Sequence, residues 1–340
     1  MDKIKVLIID DSLLFRETLS KGLKKYAFIE IVGIANDPFE GRDKILELKP
    51  DVVTLDVEMP RMDGIKFLKK LLPKYPIPVI MISSLRQSVF EAMNAGALDF
   101  VAKPKQGEDS TEFVKDIAIK IKGAANAKVA FRREKPSIEL STEGIRGHVD
   151  PRALIAIGAS TGGTEAIYSM LTKFSSNMPG IVIVQHMPPG FTKLYADRLN
   201  NSCELDIKEA EDGDIVKPGS VLVAPGDYNM TVHENNGVYV VNCRQSDKVS
   251  GHRPSVDALF MSVAEHVGSH AMGIILTGMG SDGAKGLLMM REAGAYTIGQ
   301  DEKSCIVYGM PMAAYNTGAV MLQAPLFRIP DDIIRIFSTK

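Results

Sequence analysis

Short apolar runs recur through the first 120 residues, at positions 6–9, 31–34, 52–55, 79–82 and 100–102. Each is about four residues long, mostly β-branched, and bounded by polar residues, Gly or Pro, which is the pattern of a buried strand. Between the first two runs, Leu13, Leu14, Leu19 and Leu23 stand near helical spacing with charges on the other face. Buried strands alternating with amphipathic helices predict a parallel sheet covered by helices on both faces.

From about residue 122 to 150 the pattern dissolves into charged and polar stretches such as Arg132-Arg133-Glu134-Lys135-Pro136 and Ser141-Thr142-Glu143-Gly144. Regular alternation then restarts. This predicts a first domain over 1–121, a linker over 122–150 and a second domain over 151–340. The second domain opens with a run at 153–157, a Gly-rich turn and a helix, and a buried strand comes next at 181–184. Runs at 221–224, 229–232 and 238–241 read as antiparallel, with Asn235-Asn236-Gly237 turning the last two. Further strands are predicted at 273–276, 295–298 and 319–322. The fold class is therefore α/β twice over: two mainly parallel, doubly wound sheets flanked by helices, the second with an added antiparallel hairpin.

Composition narrows the function classes. The 340 residues are 45% hydrophobic and 24% charged, with a formal net charge of −2. That balance implies no general attraction to nucleic acid or anionic lipid. Cys203, Cys243 and Cys305 are widely spaced and odd in number, which is neither a disulfide framework nor a zinc pattern. They read as idle thiols in a reducing compartment. The N-terminus enters a strand at once and lacks the form of a signal peptide. No apolar run approaches the roughly 20 residues of a membrane helix. A cytoplasmic protein with no membrane insertion is expected.

In the first domain, polar residues stand where strands end. Asp10 and Asp11 follow the first strand, Asp56 ends the third, Ser83 and Ser84 end the fourth, and Lys103-Pro104 follow the fifth. An open parallel sheet binds ligands beyond the carboxyl ends of its strands, so these groups converge on one edge. Carboxylates held together repel unless a cation joins them, and oxygen ligands of this kind suit Mg²⁺. One carboxylate attacking a phosphoryl group would yield an aspartyl phosphate. Any one of these acids alone reads as readily as a helix cap or turn former. Jointly they resemble a two-component receiver domain, a flavodoxin-like fold. That resemblance implies Asp56 as the phosphorylated residue, and Mg²⁺ held by Asp11, Asp56 and the backbone carbonyl of Glu58, with Asp10 helping. It implies Ser83 as the switch hydroxyl, Lys103 as the phosphate partner and Phe100 as the mobile aromatic. A cis bond before Pro104 is also in keeping with that family.

In the second domain, Gly158-Ala159-Ser160-Thr161-Gly162-Gly163 joins a strand to a helix. Such a turn cradles phosphate through backbone N–H groups, presents a nucleophilic serine, or is simply structural. A dinucleotide site would want an acid about 20 residues on; the chain has Gln185-His186-Met187-Pro188 instead. Asp282 stands in Gly278-Met279-Gly280-Ser281-Asp282-Gly283, beyond a further strand. A serine, a histidine and an aspartate thus occupy three strand-end loops of one sheet. His186 would take the Ser160 proton, Asp282 would fix the imidazole, and Gly-rich turns would offer N–H donors to an oxyanion.

The other histidines read differently. His148 falls in the linker, His233 beside the hairpin turn, and His266 and His270 lack the glutamate of a zinc protease motif. His252, in Ser250-Gly251-His252-Arg253-Pro254-Ser255-Val256-Asp257, is the rival to His186. It is placed at the site's rim, with Arg253 facing an acidic substrate surface.

Taken together, 156–163, 184–187, 251–257 and 276–283 resemble the chemotaxis-specific protein-glutamate methylesterases, the CheB family, over nearly the whole chain. The resemblance implies hydrolysis of glutamate γ-methyl esters on chemoreceptors, with methanol released, and deamidation of receptor glutamines by the same chemistry. Ser160, His186 and Asp282 would be catalytic, with Thr161 and Met279 supplying the oxyanion N–H groups and no cofactor for the esterase reaction. A chemotaxis histidine kinase would phosphorylate the receiver, which otherwise holds the esterase inhibited. Rivals from other classes are a nucleotide-binding module and a non-catalytic output domain; the near-neutral charge and lack of a basic recognition helix speak against DNA.

Overall fold

Five parallel strands build the first sheet: β1 (Ile4–Ile9), β2 (Ile29–Ala35), β3 (Val52–Asp56), β4 (Val79–Ser83) and β5 (Asp99–Ala102). Their spatial order is β2-β1-β3-β4-β5. Helices α1 (Leu13–Leu23), α2 (Pro38–Leu48), α3 (Gly64–Leu71), α4 (Val89–Asn94) and α5 (Ser110–Ala125) connect and cover them. This computed structural model describes residues 2–84, 88–104, 110–125, 127 and 149–338. The chain divides into two units, Met1–Lys135 and Pro136–Lys340.

In the first unit β1 is hydrogen-bonded to both β2 and β3, so the chain reverses its winding direction at β1. A crevice opens at such a reversal, outside the strand ends. The expected helix after β1 forms, but only half its leucines enter the core: Leu19 and Leu23 are buried, while Leu13 and Leu14 are exposed. Helix α5 runs past residue 121 because Ile117, Ile121 and Ala124 recur at helical spacing and are fully buried. Residues 122–125 therefore belong to the first unit. The rest of the expected linker, with its charged and polar stretches and His148, lies outside the described residues apart from 127, 149 and 150.

The second sheet has seven parallel strands in the order β14-β13-β12-β6-β7-β9-β8. They are β6 (Leu154–Ala159), β7 (Gly180–Gln185), β8 (Asp206–Glu209), β9 (Ser220–Val223), β12 (Ala271–Ile275), β13 (Tyr296–Gln300) and β14 (Leu322–Ala324). Helices α6 (Gly163–Leu171), α7 (Phe191–Asn200), α8 (Val256–His266), α9 (Ala284–Glu292), α10 (Met310–Asn316) and α11 (Ile329–Ser338) complete the unit. Strands β10 (Asn229–Asn235) and β11 (Val238–Arg244) form the antiparallel hairpin. Its turn has Asn236 at φ 53° and Gly237 at φ 79°, the paired positive values that match strand twist.

One expectation fails here, and one strand had not been expected. The run at 221–224 is not antiparallel: β9 pairs parallel with both β7 and β8. Val221, Leu222 and Val223 are all buried, as in a strand covered on both faces. Strand β8 had no apolar signal, because its sequence Asp-Ile-Lys-Glu belongs to a charged edge strand.

Helix α8 is tied down at its start and along its length. Ser255 caps it, its hydroxyl accepting from the Ala258 amide. Val256, Leu259, Phe260 and Val263 are fully buried in the core, each contributing about 1.5–3 kcal/mol by area. That burial fixes the helix N-terminus at the edge of the sheet where β6, β7 and β12 end.

Candidate active site and acidic pocket

Strand β6 ends at Ala159 and hands the chain to Ser160. Gly162, at φ 79°, makes the tight turn into α6, a conformation that a side chain would strain. The Ser160 amide donates to Thr277 O at 3.1 Å, and its carbonyl accepts from the Gly163 amide at 2.7 Å. The register pairs Ala159 with Gln185, so Ser160 and His186 are the first residues beyond neighbouring parallel strands. The His186 amide still donates to Ala159 O at 3.1 Å. Strands so paired lie about 4.8 Å apart.

Strand β12 flanks β6 on its other side, and its loop carries Asp282 just before α9. Gly278 in that loop has no room for a side chain: a Cβ would stand 2.8 Å from Ser160 Cβ and 2.4 Å from Met310 Sδ. His186 Nε2 meets Asp282 Oδ2 at 2.8 Å. The two residues come from the strands on either side of β6, so the imidazole spans the strand end that delivers Ser160.

Asp282 is buried and saturated. Besides His186, it accepts from Ser255 Oγ at 2.8 Å, the Val256 amide at 2.8 Å and the Asp257 amide at 3.0 Å. These donors are the cap and first turn of α8, where the helix dipole favours an anion. Burial pushes the Asp282 carboxyl up, but His186 and the Asp257 and Val256 amides outweigh it and hold it below the usual 3.8. An ionised carboxylate only accepts, so His186 Nε2 carries a proton and donates it to Asp282.

His252 is half-buried and touches His186 directly. Its ring lies flat on His186, with centroids 4.0 Å apart and planes 4° apart. Its Nδ1 meets the Ser250 carbonyl at 2.9 Å and stands 4.0 Å from Asp282 Oδ2. Arg253 is engaged within the unit rather than presented at a rim. Its Nε and Nη2 donate to Asp227 Oδ1 at 2.9 and 2.6 Å, and Nη1 donates to Ser246 O at 2.7 Å. Thr161 is buried, its carbonyl accepting from Thr277 Oγ1 at 3.1 Å. Met279 is half-buried in the Gly278–Gly280 turn.

Sequence reasoning missed three supporting residues. Ser255 was legible as a cap before the apolar run at 256–264. Asp257, whose carboxylate accepts from the Gly286 amide at 2.8 Å and Ser250 Oγ at 2.6 Å, gave no signal. Neither did Gln185. The remaining histidines among the described residues have other partners: His233 and His266 have ring centroids 4.7 Å apart, and His270 Nδ1 lies 3.3 Å from Asp150. Burial pushes the Cys203 thiol up to about 11, and burial with nearby acids pushes Cys243 to about 12, so neither offers a thiolate nucleophile.

In the first unit, Asp10, Asp56 and Ser83 are buried at the ends of β1, β3 and β4, and Asp11 is exposed beside them. Lys103 Nζ lies 2.8 Å from Asp10 Oδ2 and 2.7 Å from Asp56 Oδ2. Burial pulls the Lys103 ammonium down, but the two carboxylates push it higher. Burial, with the charge of Asp10, pushes the Asp56 carboxyl up to about 6 despite Lys103. The Glu58 amide reaches Asp56 Oδ1 at 3.3 Å, and Ser84 Oγ donates to the Glu58 carboxylate. Phe100 is buried. The one cis peptide bond among the described residues is Arg253–Pro254, so the bond before Pro104 is trans.

Oxygens of Asp10, Asp11 and Asp56 all lie within 4.8 Å of one another. Three carboxylates against one ammonium leave excess negative charge, and an all-oxygen donor set fits Mg²⁺. Among the described residues no helix is long and apolar enough to cross a membrane.

Comparison with known proteins assigns both units to families. A CheB methylesterase family model matches residues 155–333, and a response regulator receiver domain model matches residues 6–115. A Syntrophomonas wolfei protein named protein-glutamate methylesterase/protein-glutamine glutaminase 2 is 54% identical over 338 residues, covering 99% of this chain and 98% of its own. A Salmonella typhimurium protein-glutamate methylesterase/protein-glutamine glutaminase is 45% identical over 340 residues, covering 98% and 97%. The crystal structure of the Thermotoga maritima CheB methylesterase catalytic domain is similar at 39% identity and a TM-score of 0.53, covering 56% of this chain and all of that one.

Proposed function

The chain belongs to the CheB methylesterase family and carries a receiver domain ahead of its esterase domain, and on that premise we propose that it hydrolyses glutamate γ-methyl esters on methyl-accepting chemoreceptors under the control of phosphorylation at Asp56. The observation that carries this reading is the His186–Asp282 pair spanning the strand end of Ser160.

Ser160 Oγ attacks the ester carbonyl as His186 Nδ1 takes its proton. The Asp282 carboxylate stabilises the imidazolium through Nε2–H. The Thr161 and Met279 amides donate to the oxyanion that forms. The intermediate collapses, and the methoxy group leaves as methanol with the proton from His186. Water, deprotonated by the same imidazole, then attacks the acyl-serine; Ser160 Oγ leaves with the proton from His186, and the receptor side chain departs as a glutamate carboxylate. A receptor glutamine enters the same sequence with ammonia as the leaving group. The acyl transfer draws on these side chains, two amides and water.

In the receiver, whose last helix runs to Ala125, a chemotaxis histidine kinase supplies the phosphoryl group to Asp56. Asp11, Asp56 and the Glu58 carbonyl would hold Mg²⁺, with Asp10 supporting, and the ion supplies charge neutralisation for the phosphoryl oxygens. Ser83 and Lys103 bind those oxygens. The esterase domain, residues 151–340, works in the cytoplasm, with no nucleic-acid partner and no direct membrane insertion.

A serine-directed fluorophosphonate tests the site directly. It should label the parent at Ser160 with release of fluoride, and labelling should fail in Ser160→Ala and slow sharply in His186→Ala. Equal labelling of all three proteins contradicts the assignment.

A further inference from the structure

Gln185 ends β7 between two catalytic loops, and its side chain is buried among backbone carbonyls. Its Nε2 donates to Ser160 O at 3.0 Å and to His186 O at 3.2 Å. One amide thus bridges the carbonyl of the nucleophile and the carbonyl of the base. Its Oε1 accepts no hydrogen bond among the described residues and packs on the Gly163 backbone, where a Cβ would stand 2.2 Å away. A buried acceptor without a donor costs free energy.

The geometry points to Gln185 as a positioning residue that aims the Thr161 N–H at the oxyanion; this deepens the serine-hydrolase reading and rests on it. In a trans peptide the C=O and N–H point in opposite directions. The Ser160 carbonyl and the Thr161 N–H share one peptide unit. Gln185 Nε2 and the Gly163 amide grip that carbonyl from the α6 side, at 3.0 and 2.7 Å. The Thr161 N–H, on the far side of the same peptide, is thereby turned away from Gln185 and the Gly163 amide. The second bond, to His186 O, ties this peptide to the base loop just where the β6–β7 ladder stops. Glutamate is the same shape but sets carboxylate oxygen against two carbonyl oxygens. Buried there, its pKa rises, and only the neutral acid can donate, to one carbonyl.

The test compares methanol release from methylated chemoreceptor by the parent, Gln185→Met, Gln185→Glu and Ser160→Ala, with thermal melting to confirm folding. Gln185→Met should lose about ten-fold or more in kcat, with KM changed by less than about two-fold, since the oxyanion donor acts on the transition state. Gln185→Glu should lose more at pH 8 and recover relative to the parent as pH falls toward 6. Melting temperatures of parent and variant taken at each pH separate that recovery from a recovery of folding. If Gln185→Met fails to fold, the pH profile of Gln185→Glu carries the test. Parent-like kcat in Gln185→Met, or a Gln185→Glu profile parallel to the parent's, overturns the inference. An active Ser160→Ala overturns the serine reading instead, so the two failures are told apart.

Discussion

Asp282 Oδ2 receives both the His186 Nε2–H and the Val256 amide, each at 2.8 Å. The carboxylate that pairs with His186 is thus held by the first turn of a helix whose other end is anchored in the core. The His186 imidazole inherits the rigidity of α8 through a single carboxylate. It also inherits a fixed tautomer, because that carboxylate has no proton to give.

Asp282→Asn should separate these two roles. Through its one oxygen an asparagine can still accept from Ser255 Oγ and the Asp257 amide, but its NH₂ would then face the Val256 amide and His186, and favour the tautomer with the proton on Nδ1. The expected result is a folded protein whose kcat is about 10³–10⁴-fold lower, measured as methanol release. A variant within about ten-fold of the parent would contradict the tautomer assignment.

The depressed Asp282 carboxyl also bears on stability. A group whose folded pKa lies below its unfolded value stabilises the fold above the unfolded value. That contribution is lost as pH falls through the folded value. Thermal melting of the second unit's transition in parent and Asp282→Asn should therefore show a Tm gap that is full above about pH 4 and closes below it. A gap independent of pH would mean that Asp282 is not ionised in the fold.

Asp56 gives the opposite sign. Its folded pKa is raised from the ordinary 3.8 to about 6, so its ionisation opposes folding fully above pH 6, and the penalty vanishes below 3.8. Asp56→Asn should raise the stability of the first unit at neutral pH by on the order of 1–3 kcal/mol. Mg²⁺ should raise the parent's Tm more than the variant's. No difference between them on either count would contradict a strained acidic pocket.

The same variant tests regulation. With a small-molecule phosphoryl donor and Mg²⁺, esterase activity of the parent should rise, while Asp56→Asn should keep basal activity and show no rise. Equal stimulation of both proteins removes phosphorylation of Asp56 from the account.

Strand ends were the most legible feature of this chain. Apolar runs of fixed length located most of the strands near their positions, and polar residues just beyond them marked both sites. What stayed hidden has physical causes. Strand β8 is a charged edge, so burial leaves no mark on its sequence. The parallel pairing of β9 depends on which neighbour covers it, which local pattern does not encode. The His252 stack and the Gln185 bridge arise where loops distant in sequence meet. Arg253 looked like a rim cation only because its partner Asp227 lies 26 residues away.

Ser160 as the attacking group is the claim on which the rest depends. Methanol released from methylated chemoreceptor by the parent and by folded Ser160→Ala measures it most directly. The account predicts steady release by the parent and a loss of at least about three orders of magnitude in the variant. Release by Ser160→Ala at a rate near the parent's would contradict it.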